Sequence, residues 1–234
     1  MKQKKRQIFE IKNLIKVYGS TEVINIGRLD IHPGTIYGFV GNVSSGKTTL
    51  LKLLSGNIKP TDGLLYYENN PYKTNWLGKL VPNAEIFFSN NTGLYNSRST
   101  VKNFIFDTFG NKKNVIQKRY FNKGSFKSIW QRNISKLTKG EMHWLGMLLA
   151  IENDPRVLLI DDYGIYFDSS MENNFRSQLL NMNRRLGTTI ILTAPGDRYL
   201  RKFCSVLVYL DNGHISRIRP GIARKVNKKH RKSR

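Results

Sequence analysis

The segment from Gly41 to Thr49 carries the residue types and the spacing of a phosphate-binding loop. It reads Gly-Asn-Val-Ser-Ser-Gly-Lys-Thr-Thr, which satisfies the template of a glycine, four free positions, Gly-Lys, and then Ser or Thr. Glycines let such a backbone curl until successive N–H groups converge on phosphate oxygens. We expect Lys47 to reach the β- and γ-phosphates of a nucleotide and the Thr48 hydroxyl to ligate Mg²⁺. The predicted phosphate-binding residues are Gly41, Asn42, Ser44, Ser45, Gly46, Lys47, Thr48 and Thr49.

Two flanking elements must position this loop. The apolar run from Ile36 to Val40 predicts a buried strand, and the residues from Thr48 to Leu54 have helical spacing. A helix at that place directs the positive end of its dipole at a bound anion. The alternative is a glycine-rich turn that matches the template by chance, and the strand and helix on either side disfavour it.

A pair of carboxylates follows a second apolar run. Val157 to Ile160 predicts a fully buried parallel strand, and Asp161 and Asp162 come directly after it. An acid at the carboxyl end of such a strand, next to a phosphate-binding loop, is placed to hold Mg²⁺, usually through water. We assign this role to Asp161. The alternative is an Asp pair that only caps a helix.

The remaining patterns indicate an α/β fold around a mostly parallel sheet, because predicted strands and helices alternate along the chain. Ile8 to Ile11 alternates as an edge strand, and Glu22 to Ile31 predicts another strand, so an antiparallel β region precedes the loop. The stretch from Asn90 to Ile134 is polar, aromatic and helix-leaning. It predicts an inserted helical subdomain, which we place at about residues 92–150.

The charge of the chain indicates an acidic partner. The 234 residues include 39 Lys and Arg against 16 Asp and Glu, a net charge of +23, which suits a nucleotide, nucleic acid or anionic lipid. Nine basic residues and no acid lie between Arg217 and Arg234, a pattern of solvated tails and of contacts with membranes or nucleic acids. No membrane span or signal peptide is predicted, and a lone buried Cys204 fits a reducing cytoplasm.

Taken in order, these segments resemble the ATP-binding subunit of an ABC transporter, from roughly Ile8 to Ile218. Lys16-Val17-Tyr18-Gly19 is similar to the aromatic loop of that family, which implies that Tyr18 stacks on adenine; ordinary packing of Tyr18 is the alternative. The resemblance implies a P-loop NTPase core and an ATP-binding domain over residues 1–216. The run of basic residues beyond it predicts a disordered basic tail over residues 217–234.

Two further segments carry the resemblance. Leu137-Thr138-Lys139-Gly140-Glu141 is similar to the family's Leu-Ser-Gly-Gly-Gln signature, which implies that Thr138 and Gly140 approach a γ-phosphate. The lysine in this segment resembles the drug- and peptide-exporting branch. Asp168 matches the aspartate loop through which two such subunits contact each other.

The chain also departs from the family pattern, mainly where water is activated. Asp162 stands in place of a catalytic glutamate, and its side chain is one methylene shorter. A misplacement of ~1 Å can cost on the order of a hundredfold in rate. Tyr163-Gly164 replaces Pro-Thr, and Ala194 stands where a histidine contacts the γ-phosphate. His143 lies away from that position and is interpreted as a surface or packing residue.

One expected ligand of Mg²⁺ is also shortened. The family's glutamine, which joins the magnesium shell to the membrane subunit, falls between Ser89 and Thr92, where we choose Asn91 and keep Asn90 as the alternative. The predicted metal ligands are therefore Thr48, Asp161 and Asn91. The predicted catalytic residues are Lys47 and Asp162.

The resemblance implies binding of ATP and Mg²⁺, and the departures imply weak or no hydrolysis at the chain's own site. The implied partners are separately encoded transmembrane subunits and a second nucleotide-binding subunit, either an identical copy or a competent different one. We expect a peripheral position on the cytoplasmic face of the membrane, with anionic lipid contacting the tail. A slow but active homodimeric transport ATPase and a nucleic-acid-associated ABC protein remain alternatives.

Overall fold

In the computed structural model, the described residues are 7–89, 98–122 and 125–221. The chain divides into a core unit, Met1–Phe88 with Asp154–Arg234, and a helical unit, Ser89–Asn153. The strands are β1 (Phe9–Tyr18), β2 (Thr21–Ile31), β3 (Ile36–Val40), β4 (Asp62–Tyr67), β5 (Asn70–Pro71), β6 (Ile86–Ser89), β7 (Val157–Ile160), β8 (Thr189–Ala194), β9 (Val206–Asp211) and β10 (His214–Pro220). The α-helices are α1 (Lys47–Leu54), α2 (Val101–Phe109), α3 (Lys113–Ile116), α4 (Lys139–Glu152) and α5 (Ser169–Leu186).

The first sheet of the core unit is antiparallel and has the strand order β2-β1-β4-β5. The expectation that the chain starts with an edge strand is wrong, because β1 pairs with β2 on one side and with β4 on the other. The sequence alternates there since Phe9 and Ile11, which share one face of β1, are fully buried. Alternation of that kind reports a half-buried face, and it does not distinguish an edge strand from a central one.

The second sheet has the order β10-β9-β3-β8-β7-β6, and its pairs β9–β3, β3–β8 and β8–β7 are parallel. Strands β3, β7 and β8 are buried along their whole length, which explains their continuous apolar sequences. The α/β class with a mostly parallel sheet is confirmed. Because β3, β7 and β8 run in the same direction, the residues that follow them lie at one edge of the sheet.

The last strand corrects the predicted start of the tail. Residues 217–220 are part of β10, and Pro220 still pairs with Val206 of β9. Asn212 and Gly213 both have positive φ angles, 44° and 80°, which suit the tight turn of a hairpin. Pairing uses backbone groups, so the basic side chains of this edge strand do not prevent it. Residues 222–234 lie outside the described residues.

The helical unit is organised around α4 and a group of aromatic rings. Residues Met142 to Ile151 of α4 are all buried, and this includes His143, which is therefore a packing residue. The Trp144 ring stacks on Phe126 at a centroid distance of 4.0 Å and meets Phe121 edge-on at 5.3 Å. None of the helices within the described ranges is long and apolar enough to cross a membrane.

Candidate nucleotide-binding site

The phosphate-binding loop connects β3 to α1, as the sequence predicts. Gly46 caps α1 with a φ angle of 95°, and no side chain caps the first turn. The first N–H groups of a helix have no partner within the helix and can meet an anion. A Cβ atom on Gly46 would lie 2.7 Å from the Val23 carbonyl oxygen, and one on Gly41 would lie 2.4 Å from the Leu210 carbonyl oxygen. Only glycine fits at both positions, so the close packing of the phosphate-binding loop requires both glycines.

Lys47 is the buried cation of this loop. Its Nζ donates hydrogen bonds of 2.7 Å to the carbonyl oxygens of Gly41 and Asn42, and one of 3.2 Å to Ser45 Oγ. Burial lowers the pKa of Lys47 from its ordinary value, while the negative charges of Asp162 and Asp161 oppose that change. The ammonium is thus held at the loop by backbone dipoles and two carboxylates, in a place suited to phosphate oxygens.

Asp161 is held by two hydroxyl groups. Thr48 Oγ1 donates to Asp161 Oδ2 at 2.7 Å, and Thr193 Oγ1 donates to Asp161 Oδ1 at 2.5 Å. The structure therefore brings together two of the three predicted Mg²⁺ ligands, Thr48 of α1 and Asp161 directly after β7. Hydroxyl and carboxylate oxygens are hard donors of the kind that Mg²⁺ prefers, so this donor set fits the ion.

Thr193 is a site residue that the sequence reasoning missed. It is fully buried on β8, and besides binding Asp161 its Oγ1 accepts a hydrogen bond of 2.9 Å from the backbone N–H of Asp162. One hydroxyl thus fixes the side chain of the first aspartate and the backbone of the second. The signal that could have found it is its place next to Ala194, at the end of a strand parallel to β7.

Asp162 adopts an unusual backbone conformation. Its φ angle is +53°, in the left-handed region, and the residue is exposed. Partial desolvation of its carboxyl group nevertheless raises the pKa of Asp162, the Asp161 carboxylate raises it further, and Lys47 opposes both. Asp162 thus lies near the Asp161 carboxylate and the Lys47 ammonium, as expected of a group close to a bound γ-phosphate.

Ala194 ends β8 as a buried residue, and its carbonyl oxygen accepts a hydrogen bond of 3.3 Å from Gly41 N–H. Its backbone therefore touches the phosphate-binding loop, but its methyl group can neither donate nor accept a proton. The contact expected from a histidine has no counterpart at this position.

Tyr18 is the last residue of β1, and 47% of its surface is exposed. Lys16 Nζ lies 5.0 Å from the centroid of its ring and also donates to the Lys59 carbonyl oxygen at 2.9 Å. A half-exposed ring with a cation near it has a surface available for stacking, so the adenine contact stays a prediction that this geometry permits.

The remaining predicted residues lie elsewhere. Thr138 caps α4 and forms a capping box with Glu141, whose carboxylate also pairs with Arg132 at 2.9 Å. A Cβ atom on Gly140 would meet no described atom within 4 Å, so packing within the described residues does not require a glycine there. Asp168 caps α5 through the N–H of Met171. Asn90 and Asn91 lie outside the described residues.

The comparisons with known proteins agree with this geometry. A family model described as ABC transporter matches residues 24–163. The methionine import ATP-binding protein MetN of Chlamydia caviae is 24% identical over 94% of this chain and 67% of its own length. The spermidine/putrescine import ATP-binding protein PotA of Legionella pneumophila is 27% identical over 90% and 58%, and the bacitracin transport ATP-binding protein BcrA of Enterococcus faecalis 28% over 89% and 68%. The chain thus spans 58 to 68% of the length of these relatives.

Two solved structures share the fold. The cbiO1 protein of Clostridium perfringens, described as part of the ABC transporter complex cbiONQ, superposes with a TM-score of 0.72 at 18% identity, over 96% of this chain and 92% of that one. The ATP-binding cassette MJ0796, in a dimeric state bound to ADP and Pi, gives a TM-score of 0.73 at 19% identity, over 91% and 98%. At such identities the likeness establishes the fold.

Proposed function

The chain belongs to the ABC transporter family, and from this premise we propose that it is an ATP-binding subunit that hydrolyses ATP weakly or not at all at its own site. One contrast carries the proposal. Lys47, Thr48 and Asp161 are assembled as phosphate and magnesium binding requires, whereas Asp162 is short and Ala194 offers no polar side chain.

The roles of the chain's own residues follow from that contrast. Lys47 and the uncapped N–H groups of α1 neutralise and orient the phosphates, and Thr48 and Asp161 hold Mg²⁺. The bound ion neutralises charge on the phosphate oxygens. Thr193 keeps the Asp161 carboxylate oriented. The Asp162 carboxylate can accept a proton. Residue 194 is alanine, so no histidine there adds a contact to the γ-phosphate.

A second nucleotide-binding subunit fits this division of roles. We propose that Thr138 and Gly140 complete the site of a facing subunit, because Gly140 belongs to the signature-like segment and no described atom lies within 4 Å of the place of its Cβ. A homodimer would repeat the same defects in both sites by symmetry, so a competent, different partner accounts better for transport. The exporter branch rests on Lys139 alone, and MetN and PotA carry import in their names, so the proposal assigns no direction.

Transmembrane subunits complete the proposed assembly. The chain would bind them as a peripheral protein on the cytoplasmic face, and basic residues near the C-terminus would add attraction to anionic lipid. Deletion of Val226 to Arg234 should then reduce salt-sensitive binding to anionic vesicles and leave MgATP affinity unchanged. Tight RNA or DNA binding at physiological salt without vesicle binding would support the nucleic-acid alternative instead.

The test of the proposal is a pair of measurements on the isolated full chain. Isothermal titration should detect binding of MgATP, and phosphate release should be slow under single-turnover conditions. No binding would refute the whole proposal. Binding together with turnover typical of transport ATPases, on the order of 1–10 s⁻¹, would favour the homodimeric ATPase, a second candidate supported by the carboxylate that Asp162 retains.

A further inference from the structure

A short hairpin in the core unit presents a tryptophan to solvent. This Trp76 hairpin comprises residues Lys73–Val81, between β5 and β6. The side chain of Trp76 is 91% exposed and that of its neighbour Leu77 is 58% exposed. Trp is usually buried in large part, because few side chains offer as much apolar area, so a tryptophan left in water at a protrusion needs an explanation.

The hairpin is held in a defined conformation. Val81 N–H donates to the Lys73 carbonyl oxygen at 2.9 Å, and Asn75 N–H donates to the Lys79 carbonyl oxygen at 2.8 Å. The Asn75 side chain accepts the N–H groups of Leu77 and Lys79, at 3.1 and 2.9 Å, and so closes the tip. The exposure of Trp76 therefore results from a hydrogen-bonded structure that displays it.

The hairpin is also attached firmly at its base. The Tyr72 hydroxyl donates to the carbonyl oxygen of Leu54 at the end of α1, and the Tyr72 ring packs against the core cluster. Burial raises the pKa of the Tyr72 hydroxyl well above its usual range, so it stays a donor. The displayed tip is thus connected to the same helix that begins at the phosphate-binding loop.

Positive charge surrounds the apolar tip. Lys73 and Lys79 belong to the hairpin and are exposed, and no acid occurs from Asn69 to Ala84. Lys59 joins them, because its Nζ lies 3.8 Å from the position that a Cβ atom would take on Gly78. An exposed aromatic and an exposed aliphatic side chain with three lysines on or beside the same hairpin is the chemistry of proteins that bind anionic membrane surfaces.

We propose that the Trp76 hairpin inserts Trp76 and Leu77 into the interface of an anionic lipid bilayer, while Lys59, Lys73 and Lys79 contact headgroups. Charge complementarity favours lipid, since three lysines face no acid of the hairpin. The small apolar area of the hairpin tip also favours a lipid over a protein partner. Two side chains supply far less than the ~800 Å² per partner that a stable protein interface buries, whereas a bilayer accepts single aromatic anchors and adds the attraction of each lysine. The contact is independent of nucleotide binding and of the basic tail.

The three tryptophans of the chain make the test specific. Trp130 and Trp144 are 7% and 5% exposed, so Trp76 is the one whose fluorescence can respond to a change of solvent. The full chain is titrated with vesicles of phosphatidylglycerol and phosphatidylcholine in equal parts, and then with phosphatidylcholine alone. We expect a blue shift of emission and quenching by brominated acyl chains with the anionic vesicles, and a much weaker response with the neutral ones.

Variants distinguish insertion of the Trp76 hairpin from general electrostatic attraction of the basic chain to anionic lipid. Trp76→Ser should lower the partition coefficient about tenfold, and Lys73→Gln with Lys79→Gln roughly fivefold for each lysine. Val115→Ser, which changes an exposed apolar residue of the helical unit, should leave it unchanged. MgATP affinity, measured in parallel, should be the same for all variants, and so reports separately on the proposed ATP-binding function.

Three outcomes would overturn the proposal. Vesicle binding without a blue shift would show that other basic residues make the contact. Equal partition of Trp76→Ser and the parent chain would show that the tip does not enter the bilayer. A shift seen only with membranes that contain transmembrane transporter subunits, and absent with protein-free anionic vesicles, would assign the hairpin to a protein partner instead.

Discussion

The phosphate-binding region and the water-facing region lie side by side in the core unit, and they differ in what their side chains do. In the first, Lys47 donates to a carbonyl oxygen of the loop and Thr48 donates to Asp161. The same side-chain groups are suited to phosphate and Mg²⁺. In the second, comprising residues 162–167 and Ala194, the buried side chains of Tyr163, Phe167 and Ala194 serve packing. Tyr163 is buried, and its ring meets Phe167 edge-on at 5.5 Å.

The altered residues of the water-facing region support one another. Tyr163 N–H donates to the Thr193 carbonyl oxygen at 2.8 Å, and a proline at this position could not make that bond. Gly164 has a φ angle of 83°, and a Cβ atom there would lie 2.7 Å from the Tyr199 ring. The loop is therefore repacked as a whole. This packing supports the proposal that the chain binds ATP but hydrolyses it weakly at its own site.

The largest effect is expected from Lys47→Ala. Removing a buried, charge-assisted donor from a phosphate site should weaken MgATP binding roughly a hundredfold or more, as measured by isothermal titration. Lys52→Ala, on the same helix, is the matched control and should bind within about twofold of the parent. If Lys47→Ala bound MgATP like the parent, the phosphate-binding region would not be a nucleotide site, and the contrast between the regions would disappear.

The double change Asp162→Glu with Ala194→His tests the other region. A longer base and a restored γ-phosphate contact should raise the rate of phosphate release at least about tenfold, below the full 10²–10⁴ of general base catalysis. The gain is limited because residue 162 keeps a left-handed backbone and residue 194 is buried. Asp162→Gln with Ala194→His, which lacks the base, should show no gain. A parent chain that already hydrolyses ATP as fast as a competent transport ATPase would refute weak hydrolysis.

Thr193→Val tests the hydroxyl that joins the two regions. It keeps the shape of the side chain but leaves Asp161 Oδ1 and the Asp162 N–H without their buried partner. Each loss costs about 1 kcal/mol, the low end for unpaired polar groups, because both groups are only partly buried. Tm should therefore fall by roughly 4–8 °C, and Mg²⁺-dependent ATP binding should weaken. Thr193→Ser, which retains the hydroxyl, should lie close to the parent. Equal Tm values for Val and Ser would remove Thr193 from the site.

The contrast between Thr193 and its neighbours shows what the sequence could reveal. Strands β3 and β7, the loop at Gly41 and the Asp161–Asp162 pair were predictable, because their signals are local runs and fixed spacings. The role of Thr193 depends on β8 lying parallel to β7, a pairing between residues about thirty positions apart. The positive φ angle of Asp162 likewise depends on that hydroxyl and on Tyr163, and no local pattern encodes it.

Tyr18→Ala tests the predicted contact between the Tyr18 ring and the adenine base of the nucleotide. If the ring stacks on adenine, its loss should weaken MgATP binding about fivefold, which corresponds to an aromatic term of order 1 kcal/mol. Tyr18→Phe keeps the ring and should bind like the parent. Titration with inorganic triphosphate completes the design, since its affinity should not depend on residue 18. A loss of triphosphate affinity in Tyr18→Ala would mean that the ring acts on the loop and not on the base.

The smallest effect is expected from Asp162→Asn, for which the measured quantity is the Tm of the chain without nucleotide. The pKa of Asp162 is raised by burial and by the Asp161 carboxylate, so its ionised form is less favourable in the folded chain than in the unfolded one. At neutral pH the parent carries that cost and the Asn variant does not, so the variant should have a slightly higher Tm, by at most about 1 °C because solvent screens the charge of this exposed residue. As the pH falls through the raised pKa toward the ordinary value of 3.8, the parent carboxyl becomes protonated and the gain should vanish.

Asp107→Asn, an exposed carboxylate of α2, should show no such gain. A gain that persists at acid pH would have to come from packing. A gain that follows the titration would mean that the water-facing region still holds a carboxylate at the expense of stability, as residues kept for function do.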